Sequence, residues 1–337
     1  MIYIRLDAGH KVGMGHLFRM IELASIFKEK NYKVKFIIRE NSVAENILVR
    51  KGFTCNVIKA HAGEEYIIKK SLSKGKPYLW IFDILDTEKD WILYLKKEKI
   101  NVVCIDDIKG GLDEANVVIN PIVGCWGDIT YKVKNPLFSG PKYAILPRNI
   151  NLYRKHRKIE DKRLKVAVAM GGSDTYGVTI NIAHSLVKLT NNIDHVKFFL
   201  GPAFKHIEEL KHILKNCTYN FFIKQFVKDL LKELDKMDVV ICGGGVTLFE
   251  ICAIGLPSLS FANEPHEKKT IAYFEHRNAT YNVGLAQKTT TETLTKNLLK
   301  LLSDLDLLNE LAMNGMKLSD GKGVYRVYKL IRRYGLL

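Results

Sequence analysis

His16 is the residue of this chain best suited to take a proton from a reacting group. It comes just after Gly13 and Gly15 and close behind the apolar run MIYIR, where a strand is expected to turn into a helix. Glycine lets the backbone approach a ligand closely, and the first N–H groups of a helix attract anions. Imidazole exchanges a proton near neutral pH without a special environment. The segment therefore predicts a general base beside an anion site, although a packing turn in which His16 caps the helix fits the same residues.

Two further glycine-rich turns follow apolar runs in the second half of the chain, GGSD at 171–174 and GGGVTLFE at 243–250. Ligands in open α/β sheets bind outside the carboxyl ends of the strands, so the three turns can serve one ligand. The last turn suits a diphosphate, with Glu250 as an acceptor for ribose hydroxyls or as a capping-box residue. The candidate binding residues in these turns are Gly171, Gly172, Ser173, Gly244, Gly245, Val246, Thr247 and Glu250.

Short apolar runs that alternate with helical segments must position these turns. The runs are IYIR, VKFII, YLWIF, VVCID and NVVIN in the first half, and KVAVAM, VKFFL, YNFFIK, VVIC and PSLSF in the second. Strands that alternate with helices indicate parallel sheets. A charged segment from about Pro147 to Leu164 separates the two series. We therefore predict an α/β fold with two doubly wound, Rossmann-like domains, at 1–150 and 160–337, that face each other across a cleft.

Charge and composition disfavour several classes of protein. The 337 residues carry a formal net charge of +16, but the lysines are spread without interleaved aromatic residues, so nucleic-acid binding is not expected. The basic segment 153–165 fits a hydrated linker better than a membrane surface. Without a long apolar stretch or a leader sequence, the chain is predicted to be cytoplasmic, with no stable membrane insertion. The six scattered cysteines predict neither disulfides nor a metal site.

Motifs at both ends and in the middle of the chain resemble those of one enzyme family. RLDAGHKVGMGHLFR, AMGGSD and DGKGVYRV look like the PseG/SpsG family of nucleotide-sugar hydrolases, and GGGVTLFE with its GLP turn resembles the nucleotide-binding half of MurG-type GT-B glycosyltransferases. The resemblance implies a GT-B-like fold and an inverting hydrolase that needs no metal or cofactor. Such an enzyme releases UDP from C1 of a diacetamido-trideoxyhexose in pseudaminic-type (nonulosonic) acid or surface polysaccharide synthesis. His16 is the base that the resemblance implies.

The residues around His16 fit such a reaction. Inverting hydrolysis needs a base that activates water and dipoles that stabilise the departing diphosphate, which His16 and the helix starts after GGSD and GGGVT can supply. Asp7 is expected to orient His16 or to bind sugar hydroxyls, with a turn residue as the alternative. Arg19, three residues after His16, is expected to bind a carboxylate or phosphate of the substrate, or else to form a surface ion pair.

Two segments depart from the family pattern. Members carry an Asp, His, Tyr sequence where this chain reads FDILDT, which places Leu85 or Asp86 in that region. Their Asn, Gln pair after the last core strand is here Asn263 and Glu264, with His266 nearby as a second candidate base. Both departures concern the region that is expected to recognise the sugar.

Three hypotheses for the function follow, each with a UDP-sugar as the partner. The first is the hydrolase. The second is an inverting GT-B glycosyltransferase, in which His16 deprotonates an acceptor hydroxyl instead of water. The third is a regulator that binds a nucleotide sugar without turnover. The sugar, the choice between UDP and CMP, and the oligomeric state stay open at this stage.

Overall fold

A computed structural model describes residues 1–9, 14–107, 109–121, 135–171, 174, 176–201, 204–225, 227–263, 265 and 267–337. The chain forms two units, one of Met1–Arg148 with Gly321–Leu337 and one of Asn149–Asp320. Each unit is built on a sheet of parallel strands connected by helices, which confirms the predicted α/β class.

The first unit is built on a sheet whose described strands all run parallel. They are β1 (Ile2–Leu6), β2 (Val34–Arg39), β3 (Thr54–Ile58), β4 (Leu79–Asp83), β5 (Asn101–Ile105), β6 (Val117–Asn120) and β7 (Leu137–Ser139). Their order in the described sheet is β3-β2-β1-β4-β5-β6-β7. Because the chain winds outward from β1 and then crosses over to β4, these two strands flank the point where the strand order reverses. Ligands of doubly wound sheets bind at this point, outside the carboxyl ends of the strands.

Helices cover both faces of this sheet. They are α1 (Gly15–Glu29), α2 (Ser42–Arg50), α3 (Glu64–Leu72), α4 (Lys89–Lys97) and the short α5 (Gly111–Glu114), followed by a 3₁₀ helix at Pro141–Tyr143; a further 3₁₀ helix at Arg148–Leu152 lies at the boundary between the two units. Ile4 and the other β1 residues on the same face of the sheet lie in one hydrophobic core with Leu17 of α1. Trp80 shares the opposite core with Ile67 of α3 and Ile92 of α4. Burying each such side chain stabilises the fold by about 1.5–3 kcal/mol, so both faces hold helices against the sheet.

The second unit repeats this plan. Its described strands, all parallel, are β8 (Leu164–Ala169), β9 (Ile193–Leu200), β10 (Asn220–Gln225), β11 (Val239–Gly243), β12 (Ser258–Ala262) and β13 (Tyr281–Leu285). Their order is β10-β9-β8-β11-β12-β13, so β8 and β11 flank the reversal of strand order. The helices are α6 (Val178–Leu186), α7 (Ile207–Leu214), α8 (Leu230–Leu234), α9 (Val246–Ile254), α10 (Glu267–Glu275), α11 (Thr291–Ser303) and α12 (Leu305–Leu318), with a 3₁₀ helix at Ala286–Lys288.

The last helix, α13 (Gly323–Arg333), belongs to the first unit, whereas the sequence analysis placed all of 160–337 in the second domain. Its apolar side chains, among them Val327 and Ile331, are buried in the same core as the inner face of α1. A Cβ atom on Gly323 would overlap the backbone carbonyl of Ala144. The DGKG segment therefore serves the close return of the chain to the first unit, and burial of the apolar face of α13 decides where the helix lies.

The basic segment at 153–165 is more than a hydrated linker. The Arg154 guanidinium donates to the carbonyl oxygens of Ala253 at 2.6 Å, Ser319 at 2.8 Å and Met316 at 2.9 Å. These carbonyls lie at the C-terminal ends of α9 and α12, where helices leave carbonyl groups without intrahelical partners. The linker prediction is therefore wrong for Arg154, which ties two helix ends together.

Within the described ranges, no helix combines the length and the apolar character that a membrane span requires. The described cysteines, Cys55, Cys104, Cys217, Cys242 and Cys252, are free thiols.

Candidate functional site

His16 lies at the carboxyl edge of the first sheet, on the first turn of α1. The helix begins at Gly15, and no described side chain caps its start, so His16 is not the capping residue that the sequence left as an alternative. The Nδ1 atom of His16 lies 3.0 Å from Oδ1 of Asp83, the last residue of β4. Asp83 is fully buried, whereas the His16 side chain is 20% exposed. The ring is thus anchored through one nitrogen and reaches solvent.

Arg19 is buried next to this pair and does not form the surface ion pair considered above. Its Nε donates to Oδ2 of Asp83 at 2.9 Å, its Nη2 donates to Oδ1 of Asp83, and its Nη1 donates to Asp106. The side chain is only 7% exposed. The predicted role of Arg19 in binding substrate therefore does not match its position, because its guanidinium is directed at two carboxylates of the protein.

The charges and the burial of this cluster shift the pKa values of the two aspartates in opposite directions. Burial alone would raise the pKa of Asp83, but the charges of Arg19 and His16 and their hydrogen bonds bring it below its ordinary value. Burial raises the pKa of Asp106 despite its contact with Arg19, and the nearby negative charge of Asp83 adds to the effect. Burial opposes the charge of Arg19, yet the two carboxylates raise its pKa above the ordinary value. Asp83 is therefore the firmly ionised partner of His16.

Asp7 belongs to a second charged cluster at the same edge. Its carboxylate accepts hydrogen bonds from Arg5 at 2.6 and 3.2 Å, and Arg39 lies 3.4 Å away. Arg5 also donates to Glu64 at 2.6 and 2.8 Å and is fully buried. Among the described residues, the carboxylate bonded to His16 is that of Asp83. The expectation that Asp7 orients His16 is therefore wrong, whereas a role in binding sugar hydroxyls stays a prediction, since Asp7 is about one-third exposed.

In the second unit, the glycine turn after β11 leads directly into α9. A Cβ atom on Gly243 would lie 2.5 Å from Nδ2 of Asn263, and one on Gly244 would lie 2.6 Å from Cδ1 of Ile271. These two glycines therefore allow the turn to pack closely against the segment that follows β12. Gly245 precedes α9, and no described side chain caps the helix. The free N–H groups at this helix start, with the positive end of the helix dipole, form a site that attracts an anion.

The predicted residues Val246, Thr247 and Glu250 all lie on α9. Val246 and Thr247 are its first two residues, so their N–H groups belong to the open helix start. Glu250 is the fifth residue, beyond the first turn, and therefore does not occupy the capping-box position that the sequence left as an alternative. The Asn263 backbone N–H donates to Oε2 of Glu267 at 2.7 Å, which places a second carboxylate near the turn.

The turn after β8 is closed by its own chain. Gly171 has a φ of 90°, a conformation that favours glycine. The Asp174 carboxylate, however, accepts hydrogen bonds from the N–H groups of Val178 at 2.9 Å and Thr179 at 2.8 Å. These groups start α6, so the anion-attracting end of that helix is already neutralised. The prediction that the helix start after GGSD stabilises a diphosphate is therefore wrong, whereas the start of α9, at the second predicted glycine turn of this unit, has no side-chain cap among the described residues.

Five residues that the sequence analysis named lie outside the described ranges, namely Gly13, Gly172, Ser173, Glu264 and His266.

Sequence reasoning missed the aspartates that hold His16 and Arg19. Asp83 ends β4 and Asp106 follows β5, each directly after a buried apolar strand. A carboxylate at the end of a buried strand is the signal that could have identified them. The sequence analysis instead selected Leu85 or Asp86 from the same segment, and the Asp86 side chain is 61% exposed and pairs with Lys109.

Comparisons with known proteins relate the chain to enzymes of polysaccharide synthesis and to glycosyltransferases. Residues 166–323 match the Glycosyltransferase family 28 C-terminal domain. The spore coat polysaccharide biosynthesis protein SpsG of Bacillus subtilis is 26% identical over 333 residues, which cover 97% of this chain and 96% of that protein. The UDP-N-acetylglucosamine--N-acetylmuramyl-(pentapeptide) pyrophosphoryl-undecaprenol N-acetylglucosamine transferase of Finegoldia magna is 24% identical over 212 residues, which cover 61% of this chain and 52% of that protein.

The crystal structure of MurG from Acinetobacter baumannii is similar over 98% of this chain and 99% of its own, with a TM-score of 0.73 at 15% identity. At that identity the similarity establishes the fold. The GT-B-like fold and the resemblance to the PseG/SpsG family, both predicted from the sequence, are confirmed.

Proposed function

We propose that this chain, which resembles SpsG along its length and the Glycosyltransferase family 28 C-terminal domain from residue 166 onward, is a glycosyltransferase with a UDP-sugar donor. The reaction serves the synthesis of a surface polysaccharide. The observation that carries the proposal is the uncapped start of α9 after Gly245, inside the segment that matches the transferase domain. The transferase similarity favours transfer over the hydrolysis that the sequence analysis ranked first.

In the proposed reaction the two units have separate tasks. The open N–H groups of α9 bind the diphosphate and stabilise the charge that develops on it as the sugar leaves. Glu250 accepts hydrogen bonds from the ribose hydroxyls. His16 removes the proton from the acceptor hydroxyl, which then attacks C1 of the sugar from the face opposite the diphosphate, so the configuration inverts.

Hydrolysis is the second candidate, and the GxGHxxR element around His16 is the observation that favours it. Water then takes the place of the acceptor hydroxyl, and His16 removes its proton. The released products differ between the two candidates, because hydrolysis yields the free sugar whereas transfer yields a glycosylated acceptor.

Phosphorus and proton NMR of the purified protein with a panel of UDP- and CMP-linked acetamido sugars tests the reaction. We expect UDP release that requires an added glycan or lipid acceptor and that falls about 10² to 10⁴-fold in His16→Gln. UDP and free sugar released without acceptor would assign the hydrolase. Donor binding without turnover under every condition would point to the binding-only regulator and overturn both enzymatic candidates.

Substitution of Gly245 tests the diphosphate site separately from the chemistry. The backbone at Gly245, with φ −80° and ψ −155°, suits an ordinary residue, and a Cβ there would lie 3.5 Å from Oε1 of Glu267. Aspartate at this position caps the helix, so α9 is expected to stay folded, while its charge competes with the diphosphate for the same N–H groups.

We expect Gly245→Asp to weaken UDP binding by at least about tenfold in isothermal titration calorimetry, since a like charge a few ångströms away is strongly unfavourable. Gly245→Ser is the matched control, because serine caps the helix without adding charge. Equal UDP affinity in Gly245→Asp and the unchanged protein would contradict the assignment of this helix start.

A further inference from the structure

The role of His16 as a base depends on which of its ring nitrogens carries the proton. Nδ1 lies 3.0 Å from Oδ1 of Asp83 and 2.9 Å from Nη2 of Arg19. A protonated Nδ1 donates to the carboxylate, whereas an unprotonated Nδ1 accepts from the guanidinium. A neutral imidazole carries only one proton, so the two neighbours favour opposite tautomers.

The tautomer decides what the exposed side of the ring can do. With the proton on Nδ1, the Nε2 atom has a free lone pair and can take a proton from an acceptor. With the proton on Nε2, the ring can only donate a hydrogen bond there. A contact on one ring nitrogen sets the state of the other, as in other enzymes where a carboxylate orients a catalytic histidine.

The charge of the cluster favours the proton on Nδ1. Arg19 contributes one positive charge, and its guanidinium is shared between Asp83 and Asp106. With both carboxylates ionised, the three residues sum to one negative charge in a buried setting. An N–H group directed at this charge is stabilised, whereas a lone pair on Nδ1 would face Oδ1 of Asp83 at 3.0 Å.

We infer that Asp83 is a positioning residue that holds His16 with its proton on Nδ1 and so leaves Nε2 as the base. Arg19 fixes the Asp83 carboxylate through Nε and Nη2, and Asp106 engages Nη1 of the same guanidinium. The inference rests on the proposed function for the use of Nε2, while the tautomer itself is a property of the ligand-free protein.

The tautomer is measured directly by long-range ¹H–¹⁵N correlation NMR of protein labelled with ¹⁵N-histidine, recorded without ligand at pH 9. The chain has ten histidines, and the signal that disappears in His16→Gln identifies His16. We expect a protonated Nδ1 and an unprotonated Nε2. A protonated Nε2, alone or together with a protonated Nδ1, would overturn the inference.

Asp83→Asn tests the cause. Arg19 donates to both oxygens of Asp83, so the asparagine oxygen is expected to stay on Arg19 and the amide N–H₂ to face His16. The proton should then move to Nε2, and turnover in the assay above should fall by about 10²-fold or more, in kcat rather than KM. An unchanged tautomer in a folded Asp83→Asn protein would contradict the role of Asp83.

Two further variants keep the test decisive. Asp86→Asn changes an exposed aspartate of the same segment and should leave the His16 signals unchanged. Asp106→Asn keeps Asp83 but removes one negative charge, so we expect a partial shift of the proton toward Nε2, which tests the charge argument if Asp83→Asn does not fold. No shift in Asp106→Asn would refute that argument. Because these spectra need no substrate, a failure to find turnover leaves the assignment of the tautomer intact.

Discussion

Replacing Arg5 with methionine is expected to destabilise the first unit by about 3–5 kcal/mol. Arg5 is fully buried in strand β1, inside the sheet, and makes two hydrogen bonds to Glu64, at 2.6 and 2.8 Å, and two to Asp7. The Glu64 side chain is only 4% exposed. Removing the guanidinium leaves this carboxylate with Arg39 at 3.3 Å as the remaining cation that pairs with it among the described residues.

The expected loss of stability depends on the Glu64 carboxylate that remains buried after Arg5 is removed. A buried ion pair contributes little net stability as a whole, but the removal of one member leaves a buried charge without its main partner. Arg39, which is 29% exposed, pairs with Glu64 at the longer distance of 3.3 Å and replaces only part of that interaction. The double variant Arg5→Met/Glu64→Gln removes that charge as well. We therefore expect it to be more stable than Arg5→Met alone, with a coupling free energy of about 1–3 kcal/mol in the double-mutant cycle.

Tryptophan fluorescence during urea unfolding isolates the effect, because the two described tryptophans, Trp80 and Trp91, both lie in the first unit. Trp80 is fully buried and packs edge-on against Tyr3 at 5.7 Å, so its emission responds to loss of this core. Lys69→Met is the matched control. It breaks the exposed Lys69–Glu65 pair on α3 and should leave the free energy of unfolding nearly unchanged, because solvent screens an exposed pair.

A change in the free energy of unfolding no larger in Arg5→Met than in Lys69→Met would contradict the role of Arg5 as the main partner of Glu64. Additive effects of Arg5→Met and Glu64→Gln would contradict it as well, because independent effects mean that the two charges do not compensate each other.

Three further predictions concern packing, helix ends and a thiol. Gly323→Ala should lower the melting temperature of the first unit, at a cost of about 1–3 kcal/mol, because its Cβ meets the Ala144 carbonyl; an unchanged melting curve would count against this close packing. Arg154→Ala should speed backbone hydrogen exchange at the ends of α9 and α12, because it removes hydrogen-bond donors to their carbonyl groups that are worth about 1–3 kcal/mol. The control Lys158→Ala changes an exposed side chain and should leave the exchange rates at these helix ends unchanged. Burial raises the pKa of Cys252 to about 12, so its thiol stays protonated at pH 8; mass spectrometry should find it alkylated by iodoacetamide only after unfolding.

The fold class follows from local patterns, whereas some strands do not. Buried strands such as β1 and β4 are predominantly apolar runs, because both of their faces contact helices, and these runs predict the strands from the sequence. The apolar runs of the sequence do not include β3 (Thr54–Ile58) and β13 (Tyr281–Leu285), whose residues are partly exposed, or β7, which has only three residues. A half-exposed strand carries a weaker signal, since its apolar residues do not form an unbroken run.

The sequence by itself determined the two features that depend on neighbouring residues, namely the glycine turn that opens α9 and the position of His16 on the first turn of α1. Turn and helix-start signals act over a few residues, so their meaning is readable from the chain. The partners of those residues were decided only by the tertiary structure. Arg19 meets Asp83 and Asp106 across 64 and 87 residues of sequence, at strand ends that the sheet order makes neighbours. The charges around the proposed base therefore follow from strand order rather than from any local pattern.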